Sequence, residues 1–319
     1  MTLLNHVSKH VEYLARKGRT LLTNDLRFHQ MRLEKVSGRP GNIRQPVTLS
    51  EKICHRLVFD RNPLFTLLAD KLNVRHYVHA NTALVNTVPL LGVYRQVKEI
   101  NFATLPDQFV LKCNHDSGST QICTDKRTFD ATNALRRLHF ALKRNMYYTT
   151  REWQYKNIVP MILCEQYIAP PRLAATRALP EMLRLHCFHG ILRVIEADFT
   201  DSHGREFINV YDRDWQPLPC QMEYPNTPHP VPAPALLGKA IIASQQLAHS
   251  LDYCRVDLML HDEGIYFSEI TLSPRRGKLT ITPMEWDTQL GNLWQWRAET
   301  AHPHESAQLG YAIKPASSA

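Results

Sequence analysis

In this 319-residue chain, Asp257 and Glu269 are the residues whose types and spacing most directly suggest chemistry. They lie in two strand-like runs, Cys254-Arg255-Val256-Asp257-Leu258-Met259-Leu260 and Ile265-Tyr266-Phe267-Ser268-Glu269-Ile270-Thr271-Leu272, separated by His261-Asp262-Glu263-Gly264. A loop of Asp262-Glu263-Gly264, with glycine in the left-handed position, is a favoured hairpin connection. It pairs His261 with Ile265, and counting back sets Asp257 opposite Glu269 and Arg255 opposite Thr271. Side chains alternate along a strand. One face then carries Val256, Leu258, Leu260, Tyr266, Ile270 and Leu272, and the other Arg255, Asp257, Met259, Phe267, Glu269 and Thr271. Opposed carboxylates have β-carbons roughly 5 Å apart, and one takes up a proton unless a cation removes the conflict. Magnesium favours one or two carboxylates completed by substrate phosphates. The hairpin alone leaves a solvent-facing acidic strand open as well, because a one-residue slip separates the pair.

A second group of residues suits phosphate. Lys112 ends the apolar run Phe109-Val110-Leu111-Lys112-Cys113 and is followed by the polar loop Asn114-His115-Asp116-Ser117-Gly118-Ser119. Glycine lets the backbone approach a ligand, and free N–H groups and small hydroxyls can cradle phosphate oxygens. A lysine at the strand end adds a point charge. A Gly-Ser turn after a strand is also common with no ligand at all. There is no GxxxxGK[ST] and no GxGxxG, so neither a P-loop nor a Rossmann fingerprint is present. Lys71 and Arg75, four residues apart on an expected helix, should point the same way.

The elements that must position these groups can be read from periodicity. Leu4, Val7, Val11 and Leu14 form an amphipathic stripe flanked by Lys9, Arg16, Lys17 and Arg19, in a basic N-terminal segment. A helix starts at Leu49-Ser50-Glu51-Lys52, and another covers 63–79, with Leu64, Leu67, Leu68 and Leu72 on one side. Short strands fill 84–111, a helix spans 127–143 and a strand 158–168, with Glu165 near its end. Residues 169–180 read as a Pro- and Ala-rich loop. Strands at 183–188 and 191–199 flank a His189-Gly190 turn, 213–235 is an irregular Pro-rich excursion, and Leu236 to Leu251 is the clearest amphipathic helix.

Bulk properties bound the partners. Hydrophobic residues make up 44% of the chain, which supports a large core. No apolar run is long enough to span a membrane. His6, Lys9 and His10 interrupt the first apolar stretch and no small-residue cleavage site follows, so a secretory signal is not expected. Seven scattered cysteines with no CxxC spacing argue against a zinc site or a disulfide framework and suit a reducing cytoplasm. The net charge of +8 suits anionic partners: nucleotide phosphates, nucleic acid or an acidic membrane surface. No aromatic-rich RNA motif or recognition-helix pattern supports nucleic acid. The basic N-terminal helix is compatible with peripheral membrane contact.

Taken in order, these features resemble the ATP-grasp superfamily, and within it the TupA-like branch associated with teichuronopeptide and surface-polysaccharide synthesis. The matching stretches are Ser50-Glu51-Lys52-Ile53, Ala69-Asp70-Lys71, Val74-Arg75-His76-Tyr77-Val78, Leu105-Pro106 with the run from Phe109 to Gly118, Arg151-Glu152-Trp153-Gln154-Tyr155-Lys156-Asn157, Cys164-Glu165-Gln166-Tyr167-Ile168, Arg255-Val256-Asp257 and Glu269-Ile270-Thr271.

The resemblance implies an α+β fold in which two subdomains clasp ATP behind an N-terminal helical pre-domain. The implied division is a basic segment at 1–48, a pre-ATP-grasp region at 49–105, the ATP-grasp domain at 106–300 (lid subdomain and hinge 106–168, metal-binding subdomain 181–300) and a polar tail at 301–319. It implies Lys71 and Lys112 on the ATP phosphates, His115, Asp116, Ser117, Gly118 and Ser119 as the phosphate lid, and Glu165, Gln166, Tyr167 and Ile168 as the adenine and ribose hinge. Asp257 and Glu269 become magnesium ligands, with Thr271 where the superfamily usually has asparagine. Arg255 steadies a phosphate or acyl-phosphate. Arg184 keeps a cation where the branch shows Asp-Tyr-Lys.

The implied activity joins a carboxylate to an amine through an acyl-phosphate, using ATP and Mg2+. Its expected substrates are a carboxylate-bearing sugar or polymer precursor and an amino acid or amine. Arg275-Arg276 would meet an acidic acceptor. Rival readings are a glycosyltransferase of the same pathways and a non-catalytic protein binding anionic ligands or membrane surfaces.

Overall fold

The computed structural model describes residues 3–169, 179–201, 203–261 and 264–295. The tail at 301–319 and nearly all of the expected loop at 169–180 lie outside the described residues.

Helices α1 (Leu3–Leu22) and α2 (Asp25–Ser37) open the chain. They part where the Asn24 side chain accepts from the Arg27 N–H, and α2 stops at Gly38, whose φ of 69° lets its N–H reach the Glu34 carbonyl. Of the expected apolar stripe on α1, the side chains of Leu4 and Val7 lie outside what is described. Val11 and Leu14 are exposed. Instead Tyr13 is buried and its hydroxyl accepts from the Asn145 N–H, His10 meets Phe140 edge-on, and Lys17 lies over Tyr148. Residues 10, 13 and 17 also follow helical spacing, and the surface they meet offers rings and a polar backbone group rather than aliphatic side chains.

Helix α3 (Leu49–Phe59) begins at a reciprocal cap between Thr48 and Glu51. It buries Leu49, Ile53 and Leu57 with Tyr253 and Trp294, close to α9 (Glu285–Leu293). Its buried Arg56 donates to the carbonyls of Tyr253 and Leu272, pairs with Asp252 and stacks 4.3 Å from the Trp294 ring.

The helix expected over 63–79 is two helices, α4 (Leu64–Ala69) and α5 (Val74–Asn81). Asp70 breaks it, because its carboxylate accepts from the Leu72 and Asn73 N–H groups and competes with helix continuation. Lys71 therefore sits in a turn, outside the continuous helix on which its expected same-face relation with Arg75 rests.

Two sheets follow. The larger has strand order β1-β11-β10-β6-β7-β8, made of β1 (Asn86–Thr87), β6 (Met182–Phe188), β7 (Ile191–Thr200), β8 (Glu206–Tyr211), β10 (Tyr253–His261) and β11 (Gly264–Thr271). The smaller has order β2-β5-β3-β4, made of β2 (Leu90–Tyr94), β3 (Phe109–Cys113), β4 (Gln121–Cys123) and β5 (Ile162–Gln166). β9 (Gln221–Met222), inside the Pro-rich excursion, pairs with β12 (Ile281–Thr282).

Helix α6 (Ala131–Leu142) starts later than expected because Asp130 caps it through the Asn133 N–H. It covers Phe109, Leu111, Cys113, Ile162 and Cys164 of the smaller sheet. Helix α7 (Met146–Thr150) follows. Helix α8 (Leu237–Ala248) packs Ala240, Ala243 and Leu247 on Leu183, Leu185, Ile195, Val256 and Leu258. All seven cysteines are free and buried.

At the tip of the β10–β11 hairpin, His261 pairs with Gly264 and Leu260 with Ile265, one residue away from the expected register; Asp262 and Glu263 lie outside the described residues. A β-bulge between the Leu258–Phe267 and Asp257–Glu269 pairs absorbs Ser268 and restores Asp257 opposite Glu269 and Arg255 opposite Thr271. The bulge also reverses the face assignment of two residues. Phe267 joins the core and Tyr266 leaves it, because alternation restarts beyond the extra residue.

His29 on α2 gives a pH handle on this fold. It is 1% exposed, its Nε2 lies 3.3 Å from the Arg151 carbonyl oxygen, and its Nδ1 has no partner. Burial pushes its pKa down to about 4. A depressed histidine contributes stability that is present above its unfolded pKa and is lost as pH falls towards the folded one. Thermal unfolding between about pH 7 and pH 4 should therefore show a loss in the wild type of up to about 3 kcal/mol that His29→Gln lacks.

Candidate active site

Register places the charged residues in a row. Asp257 on β10 pairs with Glu269 on β11 to one side and Arg184 on β6 to the other, and Arg184 pairs with Glu196 on β7. Directly paired residues project to the same side, so Glu269, Asp257, Arg184 and Glu196 cross four strands on one face. Two residues along, Arg255 pairs with Thr271 and His186.

Arg255 holds the row together. Its Nε and one terminal nitrogen each donate to an oxygen of Asp257 at 2.7 Å, a bidentate fork, and it lies 3.9 Å from both Glu196 and Glu269. Burial works against its charge, but Asp257, Glu196 and Glu269 together raise its pKa above the ordinary value. Arg184 pairs with Asp198 and lies 3.9 Å from Glu196. His186 joins Glu196 at 2.6 Å and the Tyr253 hydroxyl at 3.0 Å. Burial lowers the His186 pKa against the opposing pull of Glu196. Burial also pushes Glu196 upward, but His186 and the two arginines outweigh it and hold the carboxyl at about 2.

The opposed acids behave unequally. Burial, with the Glu269 charge beside it, raises Asp257 to about 7 in spite of Arg255. Glu269 is also pushed upward by burial, but Lys71, Arg255 and hydrogen bonds from Thr271 and Asp257 bring it below its ordinary value. Thr271 Oγ1 donates to Glu269 at 2.8 Å. The pair thus shares a proton near neutral pH, borne by Asp257. A hard oxygen pair in this state suits a divalent cation, which would take the proton's place. Among the described residues no three or more His, Cys, Asp or Glu side chains converge on one point. Magnesium needs only one or two carboxylates when phosphates complete its shell.

Three cations gather near this row, Lys112 from the smaller sheet and Lys71 and Arg75 from the α4–α5 segment, which packs on the larger sheet. Lys112 lies on the side of β3 away from α6, and its Nζ is 2.6 Å from Glu165. Arg75 approaches Glu165 to 3.6 Å and donates to the Val88 carbonyl, so Glu165 sits between two cations. Lys71 is tied by its backbone to the Asn114 carbonyl and by its Nζ to the Asp116 carbonyl at 2.5 Å. Burial lowers the Lys71 pKa, countered first by Glu269, while Lys112 is close enough to repel it. The turn created by Asp70 therefore delivers a cation between the two sheets.

The loop after Lys112 is largely committed to itself. His115 Nε2 meets the carbonyls of Ala141 and Arg144, and Ser119 donates to Asp116 and accepts from the Cys113 N–H. Ser117 and Gly118 are the exposed tip. Along the expected hinge, Gln166 is exposed, its N–H bonded to the Pro89 carbonyl, and Tyr167 and Ile168 are half-buried.

Sequence reasoning did not single out His186, Glu196 and Asp198. A lone acid inside Val194-Ile195-Glu196-Ala197 was the available signal, since a charge on a buried strand needs partners. Glu152 was quoted but given no role. It is buried, accepts from Ser273 Oγ at 2.7 Å, and that hydroxyl accepts from Gln154 at 3.1 Å. Burial pushes its carboxyl upward.

A smaller sheet carrying Lys112, a larger sheet carrying an opposed acidic pair, and Lys71 beside both fit the ATP-grasp architecture. The chain belongs to the TupA-like ATPgrasp family, whose profile matches residues 51–295. Among solved structures it is similar to D-alanine–D-alanine ligase from Bacillus anthracis complexed with ATP (18% identity, 65% of this chain, 55% of that one, TM-score 0.38). It is also similar to L-amino acid ligase from Bacillus licheniformis (10% identity, 83% and 55%, TM-score 0.41) and D-alanine–D-alanine ligase from Helicobacter pylori (14%, 73% and 60%, TM-score 0.39). The chain spans little more than half the length of each, and likenesses this loose carry no chemistry over to it. No curated protein matches.

Removing Arg255 strips a buried carboxyl of its fork. Arg255→Met should destabilise the chain by about 3–5 kcal/mol at pH 8 in denaturant titrations. The loss should shrink at about pH 6, where Asp257 carries a proton and has less need of the cation.

Proposed function

We propose that the chain is an ATP- and magnesium-dependent carboxylate–amine ligase acting through an acyl-phosphate. The observation that supports this best is the position of Lys71, which is close enough to Glu269 of the opposed pair to be stabilised by it and close enough to Lys112 of the smaller sheet to be repelled by it.

In this reading, 106–168 supplies the lid and hinge and 181–300 the metal-binding half, with 49–105 joined to both sheets through β1 and β2. Lys71 and Lys112 hold the phosphates, and Lys112 leaves Glu165 to do so, freeing that carboxylate for the ribose or amino group. The hinge Gln166-Tyr167-Ile168 reads adenine through its backbone. In the lid, the Ser117–Gly118 tip covers the phosphates while His115, Asp116 and Ser119 keep the loop in shape. Asp257 and Glu269, with Thr271 beside them, would hold a magnesium ion, which when bound neutralises charge on the transferred phosphoryl group.

The substrate carboxylate oxygen attacks the γ-phosphorus and ADP leaves. The amine then attacks the acyl carbon, phosphate departs and the nitrogen loses a proton. Arg255, fixed by its fork to Asp257, stabilises charge on the acyl-phosphate, and Arg184 contributes a second cation two strands from Glu269. No protein nucleophile is needed. We assign the carboxylate to a uronic acid or surface-polymer precursor of capsule or O-antigen type and the amine to an amino acid, following the branch that the sequence resembles; the Arg275-Arg276 turn just past the hairpin, where Arg275 lies 3.4 Å from Glu223, offers charge to an acidic acceptor. The reaction belongs in the cytoplasm, where ATP is available, and the exposed face of α1 offers a membrane contact.

ATP binding measured with and without magnesium tests the core of this. Magnesium should tighten ATP binding in the wild type, and Glu269→Gln should abolish that gain. Lys112→Ala should weaken ATP about tenfold or more in either condition, the worth of a charge-assisted contact. Indifference to magnesium sinks the reading, and sugar-nucleotide binding without ATP binding favours a glycosyltransferase. A screen of uronic acids against amino acids for ATP-dependent phosphate release would name the substrates.

A further inference from the structure

A cleft of about 450 Å³ lies between α1, α2 and α7, within the range of about 300–1,000 Å³ typical of small-ligand sites. Arg16, Arg19, Arg32 and Arg151 line it, and Glu12 is the one acid among its lining residues. Two of these guanidiniums are already engaged: Arg151 with Asp25 at 2.7 Å, and Arg16 with Glu12 at 2.6 Å. The side chains of Arg19 and Arg32 make no ion pair among the described residues.

Arg32 is nevertheless fixed in place. Its guanidinium lies 5.0 Å from the centre of the Phe28 ring, which also carries Arg151 at 5.1 Å, so one aromatic side chain holds two cations at the cleft wall. Arg151 adopts φ 61° at the end of α7, a left-handed conformation that glycine would adopt without strain, at the cost of the guanidinium. Like charges gathered beside a cavity with too few acids, Arg16 and Arg19 exposed, Arg32 half-buried and Arg151 buried, create a field that favours an anion. Arginine forks match carboxylate and phosphate oxygens.

The positive field continues towards the acidic hairpin. Arg32 repels Arg276 and attracts Glu152, and Lys278 is repelled by Arg32, Arg276 and Arg275. Glu152 follows Arg151 in the chain and is bonded to Ser273, two residues beyond Thr271.

We propose that this cleft binds the anionic part of the carboxylate substrate, a multiply charged carboxylate- or phosphate-bearing small molecule held by Arg19 and Arg32. The direction in which that ligand points rests on the ligase reading; its binding does not. Arg19 and Arg32 lie on the N-terminal helices, outside the residues 51–295 matched by the family, while Tyr148, Thr149 and Arg151 of the cleft lie within them, so the two arginines would set specificity for this chain rather than for the fold.

Calorimetric titration tests this on the full chain with trigalacturonate as the carboxylate probe, fructose 1,6-bisphosphate as the phosphate probe, maltotriose as the neutral control and phosphatidylglycerol vesicles as the lipid arm. One or both soluble anions should bind, progressively more weakly as salt rises, and maltotriose should not. Whichever anion binds identifies the source of the charge. Arg19→Ala with Arg32→Ala should weaken that binding about tenfold or more, Arg19→Ala alone by less, and both should leave magnesium-ATP binding unchanged. The proposal is overturned if neither soluble anion binds, if the double variant binds as well as wild type, or if only vesicles bind. Loss of ATP binding by the wild type with anion binding intact would instead remove the ligase reading and leave the cleft standing.

Discussion

Two carboxylates held opposite each other on neighbouring strands repel, and much of this molecule's charged architecture answers that repulsion. Arg255 forks onto Asp257 from two residues back on the same strand, Arg184 flanks it on the next strand, and Lys71 arrives beside Glu269 from a turn between two helices. Where cations do not suffice, a proton remains on Asp257. A one-residue register change would have separated the acids, but it would also have turned the strand's apolar face away from the core. Instead a bulge at Ser268 maintains the pairing.

That bulge shows what the sequence discloses and what it hides. Alternation of apolar residues located β10 and β11, and the acids were readable as partners. The pairing was nevertheless reached through a loop register that the structure does not have, with Ser268 compensating. A bulge residue carries no required side chain, so Ser268 announces nothing, and its consequence, Phe267 in the core and Tyr266 out of it, could not be read from period alone. Helix α8, the strands around Glu165 and the start of α3 were legible because periodicity and capping chemistry are local. The partners of Arg255 were not, since Glu196 and His186 meet it only through strand order, a non-local property.

Lys71 makes the same point for helices. Leucine spacing extends straight through 63–79, and a helix is the natural expectation. Asp70 overrides it with two backbone hydrogen bonds and a side-chain contact to Asn114. The break has a use: within a helix Lys71 would be tied to a helical surface, whereas in a turn its backbone bonds the loop after β3 while its amine reaches between the sheets. The loop after Lys112 follows this logic. His115, Asp116 and Ser119 looked like ligand groups by type, yet their bonds hold the loop's shape, leaving Ser117 and Gly118 at its tip.

The net charge of +8 takes on a different meaning once the cations are placed. Arg56 and Arg255 are buried and matched by Asp252 and Asp257, so they add little to a surface field. The excess resides in partly exposed residues, and those lining the α1–α2 cleft and the turn at Arg275 and Arg276 stand near one another through Arg32. A basic protein with its excess spread evenly would attract any polyanion. One with its uncommitted guanidiniums gathered beside a cavity, leading to an acidic strand pair, selects for small anions that can enter. That distribution separates a substrate-binding enzyme from a general polyanion binder more sharply than net charge does.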